Sequence, residues 1–219
     1  MPGFRTPGPV CASTAPPLDG GTLALWSTPS PSAFCAAPPA PQWYQYSREG
    51  GFSASMLTMS PPAVTLLQAI EKLRLKPYDD QSGKDITAWV AGATIGYGHL
   101  IAKDEWDTYK DGITLEQADA LFAADAEPFE RAVGQAISVG VQQYEFDAMV
   151  ILAFNIGKEG FRKSSVAKLV NDPTAVTGHA SLEDAWKSWN KSQGKVMKGL
   201  TNRRAAEWSI FTTATYARW

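Results

Sequence analysis

Apolar residues recur at helical spacing from about residue 60 onward and at no regular spacing before it. Ser60, followed by Pro61 and Pro62, reads as an N-cap with prolines in the first turn, where a missing amide hydrogen is not needed. Val64, Leu67, Ile70 and then Leu73 or Arg74 mark one face of a helix predicted to run up to Lys76, with Pro77 stopping it. A glycine-studded stretch, 79–100, follows. It holds two short strand candidates, 85–90 and 94–98, with a turn at Ala91, Gly92 and Ala93. Thr114 with Gln117 forms a capping box that opens a helix bearing Leu115, Leu121, Phe122, Phe129 and Val133. Pro128 is expected to kink or divide that helix. The long apolar segment 141–154, ending near Gly157, is the predicted central core helix, and shorter helices fit 164–170, 182–189 and 203–211. Phe146, Phe154 and Phe161 read as core. A small sheet within a mostly helical domain is an α+β layout rather than a βαβ repeat.

Composition divides the chain. Ten of its 15 prolines precede residue 60, residues 1–55 carry only four charges (Arg5, Asp19, Arg48, Glu49), and both cysteines, Cys11 and Cys35, lie there. The expected organisation is an unstructured Pro/Gly/Ser/Ala-rich segment, 1–59, ahead of one domain, 60–219. The run 23–26 is too short for the apolar core of a secretory signal. The segment reads either as a linker or as the product of a start codon placed too early. In the second case, purine-rich codons for Arg48 to Gly51 would resemble a ribosome-binding site ahead of Met56 and Met59.

At 44% hydrophobic and 19% charged, the chain can bury a core. Two cysteines and two histidines exclude a disulfide framework and a thiolate- or histidine-rich metal centre, so neither metal nor cofactor is expected. A net charge of −2 argues against a nucleic-acid partner. No apolar run reaches the roughly 18 to 20 residues of a membrane span. The charge is unevenly spread: 104–147 holds eleven acids against Lys110 and Arg131, and 186–219 holds seven bases against Glu207. The basic end suits an anionic polymer or lipopolysaccharide, or is an ordinary solvated surface.

Glu71 lies near the end of the first predicted helix, Asp79 and Asp80 follow it, and Thr94 starts a strand candidate. A carboxyl group at a helix end facing a small hairpin is an arrangement a glycosidase uses. One acid protonates the leaving oxygen while a carboxylate across the cleft activates water or attacks. Spacing alone leaves other readings open. Glu71 can pair with Arg74 at i,i+3 for about 0.2–0.5 kcal/mol, and Asp79 and Asp80 can be turn residues.

The residues Glu71 to Asp80, then Thr94-Ile95-Gly96-Tyr97-Gly98-His99, resemble the phage lysozymes of glycoside hydrolase family 24. The similarity continues through Ile113 and Thr114 to Phe122, through Ala153 to Gly157, and through Gly199 to Arg204, covering roughly 60–211. The resemblance implies a lysozyme-like fold, mostly helical with a small β lobe beside the cleft. It implies an endolysin cutting the β-1,4 bond between N-acetylmuramic acid and N-acetylglucosamine of peptidoglycan. Glu71 matches the family's general acid, Asp80 the carboxylate that handles water, and Thr94 the threonine that holds it in an inverting site. Thirteen residues separate Asp80 from Thr94, more than in compact members, which leaves Asp79 and Asp85 as alternatives to Asp80.

The resemblance also implies that His99 pairs with Asp125, and that an arginine, Arg203 rather than Arg204, contacts Glu71. Burial would raise the pKa of Glu71 and that cation would lower it. Asn155, a polar amide closing an apolar run, is the other substrate-contact candidate. The expected protein is a monomer acting on peptidoglycan, with anionic outer-membrane components as a second candidate contact, and linked to a holin only indirectly. It would be made in the host cytoplasm and reach the wall after holin-mediated release. Two rivals remain: a catalytically silent murein-binding or structural phage protein on the same fold, and a lytic transglycosylase that forms anhydro ends.

Overall fold

The computed structural model describes residues 50–219. A short strand, β1 (Phe52–Ser53), and a 3-10 turn (Ala54–Met56) precede helix α1 (Pro61–Glu71). The helix starts where its prolines predict but ends five residues before the predicted stop. Lys72 takes φ 57°, a left-handed conformation through which no α-helix continues. Lys76 and Pro77 therefore lie in a strand, β2 (Arg74–Asp79). Pro77 is tolerated there because the register shifts between Arg74 and Tyr78, and its carbonyl accepts from the Ile86 amide at 3.1 Å.

β2 pairs antiparallel with β3 (Ala93–Gly96), and β3 with β4 (His99–Leu100). The strand expected over 85–90 does not form. Only Asp85 bridges to Tyr78, and Trp89 is fastened by its indole N–H to the Ile101 carbonyl at 3.0 Å. Ala93, Ile95 and Ile101 make a small core of their own, with Trp106, Tyr109 and Ile113 packed against it. A short helix, α2 (Trp106–Tyr109), leads to the long α3 (Leu115–Ala136). The predicted capping box is made in full: the Gln117 amide donates to Thr114 Oγ1 at 3.2 Å, and the Thr114 amide to Gln117 Oε1 at 2.8 Å. Pro128 does not divide α3. It removes one ladder bond, while Phe122, Ala126, Ala132 and Val133 bury the helix on both sides of it.

β5 (Gly140–Val141) pairs with β1, which the composition placed outside the domain. Ala54 is buried against the main core, and the 3-10 turn lies so close to α3 that a Cβ on Gly134 would sit 2.9 Å from Ser55 Cα. The folded unit thus takes in 52–59. Its place next to the proline-rich segment, and its lack of a repeating pattern, hid two contacts that only α3 and β5 complete. The remainder of 1–59, up to residue 49, lies outside the described residues.

The central helix, α4 (Gln143–Ile156), buries every residue from Glu145 to Ala153, and Gly157 at φ 84° ends it as expected. Burying a Leu, Ile or Phe side chain there contributes roughly 1.5–3 kcal/mol. α5 (Lys158–Lys163) packs against it and leads to α6 (Ser165–Asn171), which pairs with α7 (Leu182–Lys187). An exposed hairpin, β6 (Lys191–Ser192) and β7 (Lys195–Val196), leads into α8 (Lys198–Thr213). That helix starts ahead of its predicted residue 203, because Gly199 interrupts a first turn with no repeating apolar face.

Two carboxylates tie the parts together. Asp147 on α4 is fully buried and accepts from the Ser60 amide (3.0 Å), Ser60 Oγ (2.5 Å), Gln143 Nε2 (2.9 Å) and Tyr216 Oη (2.5 Å). Ser60 therefore holds the start of α1 through Asp147 rather than through a side-chain cap of its own helix. Asp125 on α3 accepts from His99 Nδ1 at 3.0 Å, the pairing the family resemblance implied. That hydrogen bond raises the His99 pKa above its ordinary value, against the opposing effect of burial.

Asp147→Ala strands several buried donors at once and is expected to lower the unfolding free energy by about 3 kcal/mol in urea denaturation. The raised His99 pKa means its contribution is complete below about pH 6.5 and is lost as pH rises through the folded-state value. Thermal midpoints measured from pH 5 to pH 9 should therefore fall more steeply for the wild type than for Asp125→Asn; parallel curves would refute the coupling.

Candidate active site

The early end of α1 puts Glu71 at the helix terminus, where its carboxyl is half-buried. Arg74, the i,i+3 partner considered for it, is in β2 and turns elsewhere: it forms an ion pair with Asp85, donates to the Gly83 carbonyl at 2.7 Å and lies 4.4 Å over the Tyr78 ring. Among the described residues, Glu71 has no hydrogen-bond or ion-pair partner. Burial raises its pKa above the ordinary glutamate value, and Arg203 pulls against that rise without cancelling it.

Across from Glu71, the register of β2 and β3 sorts the neighbouring side chains. Tyr78 is opposite Thr94 and Asp79 opposite Ala93, and residues directly opposite share a face of the sheet. Alternation puts Asp79 on the opposite face from Tyr78 and Thr94, and Asp80 follows directly after the strand, in a turn. The electrostatics agree. Burial raises the Tyr78 pKa first; the Asp80 charge adds to the rise, Arg74 opposes it and Glu71 adds to it, so both carboxylates act on one phenol. Thr94 is buried, and its hydroxyl donates to the Gly92 carbonyl at 2.9 Å, leaving its lone pairs free to accept from water.

The three nearby aspartates are unlike. Asp79 accepts from the Gln81 and Ser82 amides at 3.1 and 3.2 Å, and its own carbonyl receives the Gly83 amide at 2.7 Å. The Ser82 side chain first, and then these amides, hold its pKa below the usual aspartate value. It shapes a turn. Asp85 is occupied by Arg74. Asp80 is exposed and, among the described residues, makes no side-chain hydrogen bond or ion pair; only its amide is used, donating to the Gly92 carbonyl at 3.1 Å.

The floor behind Glu71 comes from α8. Arg203 is nearly buried, donating from Nε to Glu207 Oε1 at 3.0 Å and from Nη2 to the Ile151 carbonyl at 3.3 Å. Arg204, fully buried, donates from Nη2 to Glu207 Oε1 (2.8 Å) and to Asn155 Oδ1 (2.9 Å). Trp186 Nε1 donates to the other Glu207 oxygen at 3.0 Å. Burial pushes the Arg204 pKa down to about 10 and the Glu207 carboxyl up, while the attraction between them opposes both shifts. Of the predicted substrate contacts, Asn155 is exposed and held by Arg204, whereas Arg203 is an interior cation beside Glu71. Two of the seven bases of 186–219 are therefore interior rather than part of a basic surface. Glu207 and Tyr78 did not stand out from sequence, although the i,i+3 and i,i+4 spacings of Arg204 and Arg203 to Glu207 are visible in it. Among the described residues no group of three or more His, Cys, Asp or Glu comes together as a metal site.

Comparison with known proteins gives a consistent result. The family model described as "Phage lysozyme" matches residues 68–207. The chain is 35% identical over 160 residues to an endolysin of Bacillus phage PZA, a match covering 73% of this chain but only 57% of that protein's length. It is 31% identical to the endolysin of Salmonella phage P22, covering 71% of this chain and 99% of the relative. Among solved structures, the muramidase domain of SpmX from Asticaccaulis excentricus aligns with a TM-score of 0.55 at 31% identity, covering 71% of this chain and 98% of that one.

Removing the Glu207 carboxylate leaves two guanidiniums without a buried counter-charge. Glu207→Ala is expected to cost about 3–5 kcal/mol in chemical denaturation. A loss under about 1 kcal/mol would mean the arginines find water instead.

Proposed function

Because the chain belongs to the phage lysozyme family, we propose that it is an endolysin hydrolysing the β-1,4 bond between N-acetylmuramic acid and N-acetylglucosamine in peptidoglycan. The observation that carries this reading is the state of Glu71: a helix-end carboxyl, without a hydrogen-bond partner among the described residues and pushed up in pKa by burial, facing a hairpin that bears Asp80. A carboxyl whose neutral form is favoured by burial is what a general acid requires.

In this mechanism Glu71 gives its proton to the glycosidic oxygen as the bond to the anomeric carbon breaks. Asp80, exposed and without a side-chain partner among the described residues, takes a proton from the attacking water, and Thr94 Oγ1 accepts a hydrogen bond that orients that water. Arrival of water from the face opposite the leaving group inverts the anomeric centre. Arg203 keeps Glu71 from rising so far that the residue cannot release its proton. Asn155, fixed by Arg204, supplies an exposed amide to the sugar or its stem peptide. The exposed lysines 191, 195 and 198 at the hairpin and the start of α8 favour the anionic wall, and by the same charge anionic outer-membrane components. The protein works as a monomer without a cofactor, made in the host cytoplasm and reaching the wall after holin-mediated release. Among the described residues no helix is long and apolar enough to cross a membrane.

Turbidity loss of purified cell walls tests the reading. Glu71→Gln should reduce the rate by about 10²–10⁴-fold. Asp80→Ala should abolish most activity while Asp79→Ala and Asp85→Ala retain it; a dead Asp79 or Asp85 variant beside an active Asp80→Ala would reassign the second carboxylate. No clearing by either would leave a silent wall-binding protein, and equal clearing by wild type and Glu71→Gln would remove Glu71 as the general acid. Product masses with reducing ends support hydrolysis, and anhydro ends, one water lighter, would make it a transglycosylase. Since Glu71 acts in its protonated form, activity should fall as pH climbs through its raised pKa.

A further inference from the structure

After α8 the chain reverses at Ala214, in the left-handed conformation at φ 53°, and 214–219 has no secondary structure. It nevertheless makes specific contacts with Asp147 on α4, Ala69 on α1 and Arg203 on α8. Tyr216 Oη donates to Asp147 Oδ2, the same oxygen that receives the Ser60 hydroxyl at the start of the helix. Arg218 Nη2 donates to the Ala69 carbonyl at 2.8 Å. That carbonyl lies in the last turn and is orphaned because Lys72 leaves the helical conformation. The Trp219 ring then lies 5.1 Å from Arg203 Cζ and packs against the main core. The segment thus spans α1 from its first residue to the turn that carries Glu71, and ends on the cation beside Glu71.

We propose that Arg218 and Trp219 are positioning residues for Glu71: Arg218 fixes the final turn of α1, and Trp219 covers Arg203 and fixes where its charge acts. This inference rests on the reading of Glu71 as the general acid. Neither residue needs to touch substrate. A guanidinium held under an indole face has one orientation and is shielded from water on that side, so its distance from Glu71 is set. Hydrogen bonds from Arg203 to Glu207 and Ile151 restrain the guanidinium from below, and Trp219 supplies the restraint on its face. The last-turn carbonyl has the same need. Without Arg218 it turns to water and the helix end frays, taking Glu71 with it.

The test is steady-state kinetics on soluble, un-cross-linked murein fragments, read by reducing-end release, with the folded fraction followed by near-UV circular dichroism. Trp219→Ala should lower kcat about tenfold, with KM within about twofold and the folded fraction unchanged at the assay temperature. Trp219→Phe, which restores an aromatic face, should return kcat to within about threefold of wild type. Arg218→Ala should lower kcat in the same sense and Arg218→Lys should recover most of it. Unchanged kcat in Trp219→Ala, beside an inactive Glu71→Gln, overturns the proposal and leaves the general acid standing. Loss of kcat and folded fraction together, without rescue by phenylalanine, also overturns it, since the segment would then serve stability alone. A rise in KM alone makes Trp219 a substrate contact and overturns it too. Wild-type activity in Glu71→Gln would remove the mechanism on which the proposal rests, a result distinct from all of these.

Discussion

The Glu207 carboxylate is what allows two guanidiniums into the interior of this protein. It bonds Arg203 and Arg204 with one oxygen and the Trp186 indole with the other, all out of contact with water. A buried ion group of this kind contributes little net stability compared with a well-packed apolar cluster, because desolvation offsets the attraction. What it does supply is position. With Glu207 in place, Arg203 stands beside Glu71 and Arg204 reaches Asn155, so one carboxylate on α8 sets charges at two places in the candidate site.

Glu71 itself is governed by two opposed effects of similar origin. Withdrawal from water favours its neutral form, and the nearby cation favours the charged one; the balance falls on the side of burial. Such a balance is sensitive to small displacements, because Coulomb interactions strengthen steeply where water is excluded. That sensitivity gives a physical reason for the anchoring of α1 at both ends, by Asp147 and Ser60 at its start and by Arg218 at its last turn.

Much of this was legible in the chain. The prolines at the start of α1, the capping box at Thr114, the apolar run 148–154 in α4 and the glycine that ends that helix are local signals, and each forms as its sequence predicts. The candidate residues Glu71, Asp80 and Thr94 were legible as a motif. The misreadings have a common cause. The end of α1 was assigned to Pro77, but the helix stops at Lys72, and Pro77 joins a strand that exists only because β3 is there to pair with it. The strand expected over 85–90 failed for the complementary reason: its neighbours offer one bridge and the segment is fastened by Trp89 instead. Residues 52–59 looked like part of the proline-rich segment until β5 and Gly134 supplied their partners.

The sequence by itself determined the helical scaffold, the fold class and the residue types available for catalysis, since periodicity, caps and glycine stops act over a few neighbouring residues. Only the tertiary structure decided what each charged group does. It gave Asp79 to a turn and Asp85 to Arg74, and left Asp80 exposed with no side-chain partner among the described residues, three outcomes for side chains of the same chemistry within seven residues. It also buried Arg203 and Arg204, whose sequence positions fit a solvated base as well as a neighbour of Glu71. The reason is that a carboxylate or guanidinium takes its role from partners distant in the chain and from how far water is excluded. Neither is encoded in local spacing.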